Sequence, residues 1–319
     1  MAGYYLSDEE FIEQWNKLGS PLIFAKTHGM VERAVYNRRR SIETRLGITL
    51  PSFNDTRIDP YKKTQQTVGN TRRGMEIEKG RVIVFSDAHF WPDDTTTAFK
   101  ALLECIKEYK PTAIVCNGDA LDGASISRHP RQDWSKLPTV QQELEAVQYY
   151  LGEIEAVAKG AKLFWPLGNH DARWEMRIIE NLPAFEGVVG TTLKEHFPAW
   201  LPCWSFWVNE DTCIKHRWKG GFSAGRANSL NAGVNMITGH THHLSVMPVS
   251  DYNGTRWGVQ TGTLADLHGQ QFAYTEDTPK DWNSGFVMLS FERSKLLQPE
   301  MIRVWGEDEV EFRGKIHKV

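Results

Sequence analysis

Runs of β-branched and aliphatic residues alternate with amphipathic stretches through the middle of this 319-residue chain, and each run closes on a polar cluster. RVIVFSD (81–87) is followed by the helical pattern TTTAFKALLECIKEY, TAIVCNGD (112–119) by VQQELEAVQYYLGEIEAVAK, and AKLFWPLGNHD (161–171) ends in a polar turn. Strands alternating with helices imply a parallel sheet with helices on its faces. Beyond residue 200 the helical patterning thins out. SFWVNEDTCIKHR, VNMITGHTHH, LSVMPVSD, TRWGVQTGT, GFVMLSFE, MIRVWG and EVEFRGKIH look like successive strands.

The first fifty residues have a different character. SDEEFIEQWNKL (7–18) opens on a Ser-x-x-Glu capping box and carries Phe11, Ile12, Trp15 and Leu18 at helical spacing. Ser20-Pro21 predicts an N-cap with proline at the first helical position, and Gly29 closes that second helix. A third helix follows through Val31, Val35, Ile42 and Leu46, with Gly47 as its cap. Helix, glycine turn and Arg-rich helix give the outline of a helix-turn-helix. The polar stretch PSFNDTRIDPYKKTQQTVGNTRR has no sustained periodicity. The expected organisation is a small basic helical domain over 1–50, a linker or arm over 51–79, and an α/β domain over 80–319.

Charge follows the same division. Residues 1–80 hold 13 Lys and Arg against 10 Asp and Glu, a net of +3, although the whole chain is −3. The positive charge precedes the α/β domain. Arg33, Arg38, Arg39, Arg40 and Arg45 fall on one predicted helix, next to Lys62, Lys63, Arg72 and Arg73. Such density would neutralise several phosphates of a DNA duplex. The plain alternative is a solvated helix face. No apolar run approaches the ~18 residues of a membrane span, so no membrane partner is expected. The acidic N-terminus does not read as a signal peptide. Cys105, Cys116, Cys203 and Cys213 lack CxxC spacing and read as reduced thiols, so a cytoplasmic compartment is expected.

Five polar clusters fall at or just after strand ends: Asp87-Ala-His89, Gly118-Asp119-Ala-Leu-Asp122, Gly168-Asn169-His170-Asp171, His216, and Gly239-His240-Thr-His242. In open α/β sheets the loops beyond the carboxyl ends of the strands converge on one crevice. Asp87 with His89, and His240 with His242, are each spaced to leave the same side of a strand and face one metal. Carboxylate, imidazole and amide oxygen together suit a borderline divalent cation, manganese first, with iron or zinc as alternatives. Seven candidate ligands, Asp87, His89, Asp119, Asn169, His216, His240 and His242, are too many for one ion that keeps an open position. Two ions sharing a bridging carboxylate use them naturally. A lone Asp-x-His or a lone strand histidine is often no more than a turn or a core residue. Five such clusters in order after strands are not.

In their order, DAH, GDALD, GNHD, His216 and GHTH resemble the signature of the calcineurin-like metallophosphoesterases across about residues 80 to 315. The resemblance implies a four-layer αββα sandwich. It implies that Asp87, His89, Asp119 and His242 hold one metal and Asp119, Asn169, His216 and His240 the other, with Asp119 bridging. It gives His170 the task of protonating the leaving oxygen, and Asp122 that of orienting His170. Serine/threonine phosphatases of this superfamily continue GDxxD with Arg-Gly. Here Gly123-Ala124 follows, which argues against a protein phosphatase and removes one phosphate-binding arginine. Arg173 can replace it, or can pair with Glu175 or Glu180 at the surface.

The metal core would fix the reaction class and leave the substrate open. The basic N-terminal region favours a DNA-directed phosphodiesterase, a nuclease or an end-processing enzyme. A phosphomonoesterase or nucleotide phosphatase with a structural N-terminal domain is the first alternative, and a non-catalytic DNA-binding adaptor the second. SbcD-type nuclease subunits, which share GNHD and GHTH, imply an ATPase partner that nothing in the sequence supports. Trp200, Trp204 and Trp207 either pack in the core or form a lip that stacks bases, with packing the better reading.

Overall fold

A computed structural model describes residues 6–51, 72–128, 134 and 136–319. Among these, 6–51 with 73–76 form one compact unit, and 72 with 77–319 form another.

The first unit is built from α1 (Asp8–Leu18), α2 (Pro21–Thr27) and α3 (Glu32–Leu46). Its caps follow the sequence signals. The Ser7 hydroxyl accepts from Glu10 N (3.2 Å), and the Glu10 carboxylate accepts from Ser7 N (2.7 Å). Ser20 caps α2 ahead of Pro21, and Gly47 ends α3 in the left-handed region. Phe11, Trp15, Phe24, Val35 and Ile42 form the core of this unit. The helical period overreaches at the ends of α3, where Val31 and Leu46 are 73% and 49% exposed. Lys62 and Lys63 lie outside the described residues.

Strand β1 (Arg72–Met75) follows at the sequence boundary between the units. The second unit then runs β2 (Gly80–Phe85), α4 (Thr97–Tyr109), β3 (Ala113–Cys116), α5 (Val140–Val157), β4 (Lys162–Pro166), α6 (Ala172–Asn181), α7 (Leu193–His196) and β5 (Leu201–Cys203). After these come β6 (Ser205–Val208), β7 (Thr212–Ile214), α8 (Ala224–Ala232), β8 (Asn235–Thr238), β9 (Leu244–Asp251) and β10 (Gly254–Thr261). The chain closes with β11 (Gly285–Glu292), β12 (Lys295–Leu296), β13 (Glu300–Gly306), β14 (Glu309–Phe312) and β15 (Lys315–Lys318).

One sheet has the order β15-β14-β13-β11-β2-β3-β4-β5, with β12 paired to β11. Its β2 to β5 run is parallel, as the alternating pattern requires. In the other sheet the order is β6-β7-β8-β10-β9. The sheets face each other, and Phe164 stacks on Phe206 at 3.9 Å between ring centroids. Helices α4 and α5 cover the outer face of the first sheet, packing Phe99, Leu102, Val147 and Ile154 into the main core. Helix α8 covers the second. The result is the αββα sandwich expected from the motif order.

Two features of the second unit differ from the sequence patterning. SFWVNEDTCIKHR is not one strand: it folds back as the β6–β7 hairpin at Asn209 and Glu210, whose φ angles of 50° and 59° suit a tight turn. Helices α6 and α8 went unseen, because α6 buries no residue fully and α8 is short and rich in Ala, Asn and Ser. For the tryptophans, packing is the outcome at Trp200 and Trp207, as the better of the two readings had it. Trp200 is fully buried, Trp207 lies beneath the Arg72 guanidinium (3.8 Å to the ring centroid), and only Trp204 is largely exposed.

Helix α8 reaches its sheet through two glycines. A Cβ on Gly258 of β10 would lie 2.1 Å from the Gly225 carbonyl oxygen of α8, a contact no side chain permits. Gly258→Ala is therefore expected to lift α8 and destabilise the protein by about 2 kcal/mol, read as a lower urea midpoint.

Candidate metal centre

All five polar clusters sit beyond strand ends, and the backbone there is unusual. Asp87, His89, Asp119, His240 and His242 have φ angles of 52°, 39°, 54°, 70° and 59°. Side-chain-bearing residues adopt this left-handed region at a cost of about 1 kcal/mol or more each, and they cluster at functional sites. These side chains therefore do not converge by alternation along a strand. Strands β2 and β8 have ended before Asp87 and His240, and left-handed turns aim these side chains inward. His240 and His242 do not face one position either. Ligand atoms of Asp87, His89 and His242 lie within 4.8 Å of one another, while His240 groups with Asp119 and His216.

Each imidazole is held from behind. His89 Nδ1 is 2.8 Å from Asp122 Oδ1, and His216 Nδ1 is 2.7 Å from the Asn117 carbonyl oxygen. These bonds fix the tautomer and leave both Nε2 atoms buried with no hydrogen-bond partner. His242 Nδ1 and Asn169 Oδ1 are likewise buried and unpartnered. His216 Nε2 approaches Asp119 Oδ2 to 3.0 Å without hydrogen-bonding geometry, as neighbouring ligands of one ion do. Uncompensated buried polar atoms cost about 1–3 kcal/mol each, so an inward-facing set of lone pairs fits divalent cations. The charges agree. Burial alone would lower the His216 pKa, but the Asp119 and Asp87 carboxylates raise it to about 9, so these acids draw positive charge into the site.

The loops are tied together by a residue that sequence reasoning passed over. Asp171 is fully buried, and its carboxylate accepts from Asp119 N (2.8 Å), Ala120 N (3.0 Å), Leu121 N (3.0 Å), Gly168 N (2.8 Å) and Trp165 Nε1 (3.0 Å). It thereby joins the GDALD loop to the GNHD loop. Its signal was present as the last letter of GNHD. Close approach completes the joint: a Cβ on Gly168 would fall 2.0 Å from Asp119 Oδ1.

Beside the cluster, His170 Nδ1 donates to the Asp122 carbonyl oxygen (2.8 Å), and His170 Nε2 lies 3.2 Å from Arg173 Nη2. The Asp122 carboxylate is closer to His89 (2.8 Å) than to His170 (3.3 Å), so it supports two rings rather than the one expected. Burial opposes the ionised form of Asp122, yet the two imidazoles hold it well below the usual carboxylate range. Arg173 Nη1 also donates to the Asp122 carbonyl oxygen (2.9 Å). The surface-pair alternative for Arg173 is excluded, since Glu180 pairs with Arg177 and Glu175 accepts from Leu193 N. His243 turns away toward Asp281 (3.3 Å).

The basic residues of the N-terminal region are not one free row. Arg39 pairs with Glu43 (3.0 Å) and Glu76 (2.5 Å) and lies over Trp15. Arg38 donates to the Leu6 carbonyl oxygen, and Arg45 pairs with Asp8. Arg72 covers Trp207, and Arg73 is half-buried. Arg33 and Arg40 are exposed. A cavity of about 920 Å³, lined in part by Arg81, Tyr109 and Arg313, opens at the opposite end of β2 and contains none of the cluster residues.

The calcineurin-like phosphoesterase profile matches residues 80–244. The chain belongs to that family. Among solved structures, it is similar to a novel archaeal phosphodiesterase, with 14% identity, 69% of this chain and 99% of that chain covered, and a TM-score of 0.36. It is also similar to Yfce, a phosphoesterase from E. coli, at 14% identity over 69% of this chain and 97% of that chain, with a TM-score of 0.30. No curated protein matches. Among the described residues no helix is long and apolar enough to cross a membrane.

Two measurements test this architecture. Asp171→Asn sets an amide against N–H donors, and is expected to lower stability by roughly 3 kcal/mol and phosphoesterase activity more than 100-fold. Glu143, buried on α5, accepts from Gly123 N (2.5 Å) and Ala124 N (3.0 Å). Burial and then the Asp122 charge push it up from 4.5 to about 7. Because the folded-state value is raised, the stabilisation is complete below pH 4.5 and is lost as pH rises through about 7. Chelator-treated wild type should lose about 3 kcal/mol more than Glu143→Gln across that window, read as the difference between their urea midpoints at each pH.

Proposed function

We propose that this chain is a two-metal phosphodiesterase directed at DNA, acting as a nuclease or end-processing enzyme. The observation that carries the two-metal reading is the set of buried, unpartnered ligand atoms on His89, His216, His242 and Asn169, gathered around Asp87 and Asp119. Asp87, His89, Asp119 and His242 would hold one cation and Asp119, Asn169, His216 and His240 the other, manganese being the first expectation. When bound, such a pair activates water for attack on phosphorus and neutralises the phosphate oxygens.

The chain's own residues then divide the remaining work. Asp122 anchors His170 through its carbonyl oxygen, which presents Nε2 to the leaving group. The facing Asp119 and Asp122 carboxylates overcome burial and raise the His170 pKa, so the ring is supplied with the proton the leaving oxygen needs. Arg173, beside that nitrogen and free of carboxylate partners among the described residues, is placed to take a phosphate oxygen in the role that Arg-Gly plays after GDxxD in protein phosphatases.

The DNA-directed part of the reading rests on the positive balance of residues 1–80 and on the helix-turn-helix outline of α2 and α3. With Arg38, Arg39 and Arg45 engaged inside the helical unit, its contact with phosphates falls first to the exposed Arg33. The deciding experiment compares bis-nitrophenyl phosphate, nitrophenyl phosphate and DNA as substrates with Mn²⁺. Hydrolysis of the diester and of DNA, abolished by chelation, is expected. Rapid monoester hydrolysis with DNA left intact would instead make the chain a phosphomonoesterase. His170→Asn should lower kcat at least 100-fold and leave the number of bound Mn²⁺ ions unchanged, measured by metal analysis after gel filtration.

A further inference from the structure

The segment directly after His216 stands out. Arg217, Trp218 and Lys219 are exposed, and Phe222, three residues on, is 73% exposed. Exposed aromatics and unpaired cations usually sit on mobile loops, but here the main chain is fixed. Asn228 of α8 is fully buried, and both halves of its amide serve this loop: Lys219 N donates to Asn228 Oδ1 (3.0 Å), and Asn228 Nδ2 donates to the Lys219 carbonyl oxygen (3.2 Å). The helix that carries Asn228 is itself set close against β10 by the Gly225 and Gly258 contact. A buried amide has little reason to fix an exposed loop in this way unless the position of the loop matters.

The loop lies against the centre. His216, which the loop directly follows, and His240 have ring centroids 5.4 Å apart. Phe222 meets His243, the neighbour of His242, edge-on at 6.4 Å. Lys219 Nζ is 5.6 Å from the Trp218 ring centroid. Neither Arg217 nor Lys219 has a carboxylate within ion-pair distance among the described residues. Two cations and two aromatic rings held at the rim of a phosphoester site match a chain of alternating phosphates and flat bases.

We propose that Arg217, Trp218, Lys219 and Phe222 form a subsite for single-stranded DNA next to the scissile phosphate, with bases stacking on Trp218 and Phe222 and a neighbouring phosphate held by Arg217 and Lys219. This rests on the phosphodiesterase reading above and places the strand on the catalytic unit itself. Asn228 acts as a positioning residue through the main chain of Lys219.

The test uses full-length protein with Mn²⁺, the oligonucleotide dT10 carrying a fluorescent label, and methyl nitrophenyl phosphate as the small diester. One stacked base is worth about 1–3 kcal/mol, so Trp218→Ala should weaken dT10 binding roughly 5- to 150-fold by anisotropy. The ratio of kcat/KM for dT10 to that for the small diester should fall by the same factor, mainly through KM. Trp218→Phe should restore most of both. Lys219→Gln should reduce the slope of log Kd against log salt by about 0.7, the value for one phosphate contact on a single strand. Asn228→Asp, which turns a carboxylate oxygen toward the Lys219 carbonyl, should reproduce the rise in KM for dT10. A Kd for dT10 within two-fold of wild type in Trp218→Ala would overturn the subsite. Wild-type protein that binds dT10 through Trp218 but hydrolyses neither diester would overturn the phosphodiesterase reading and leave the subsite standing.

Discussion

The geometry of the centre depends on one buried carboxylate. Asp171 gathers four main-chain N–H groups from two loops that are about fifty residues apart in sequence, and the indole N–H of Trp165 on β4. Each of those donors would otherwise be stranded away from water. The bonds hold Asp119 and Asn169 in mutual register before any other group contributes. The left-handed conformations at Asp87, His89, Asp119, His240 and His242 have the same dependence, because strained backbone persists only where surrounding bonds over-determine it. Ser86, Thr261 and Thr263 brace the Asp87 side in the same manner, with Thr263 Oγ1 donating to the Asp87 carbonyl oxygen (2.5 Å).

Much of the fold was legible because its signals are local. The capping boxes at Ser7 and Thr139 and the β-branched runs of β2 and β3 depend on neighbours only a few residues away. The order of the five clusters was legible too, since strand-end loops in a parallel sheet share one edge. What stayed hidden depends on tertiary contact. Gly258 gives no local reason for being glycine until Gly225 is seen 33 positions earlier, pressed against it. Asn228 reads as an ordinary helix residue, and the division of His240 and His242 between two clusters depends on turns that a period-2 pattern does not describe.

The N-terminal helices show how charge counting misleads when it ignores packing. The same Arg-rich run that raises the local positive balance supplies three internal braces. The Arg38 and Arg39 guanidiniums lie over Phe11 and Trp15, and Arg39 satisfies two carboxylates. Arginine does this well because its long stem is apolar and its planar head stacks on rings and forks to acids at once. A basic composition therefore sets an upper limit on the free positive surface of a domain this small.

The left-handed turns and the Asp171 joint together have a consequence for cation exchange. The hydrogen bonds that shape these loops come from the protein itself, so a cation held there would meet donor atoms that the chain has already placed. A mixed oxygen and nitrogen donor set discriminates only weakly among first-row divalent ions. Which ion such a set would hold then depends on metal supply as well as on geometry.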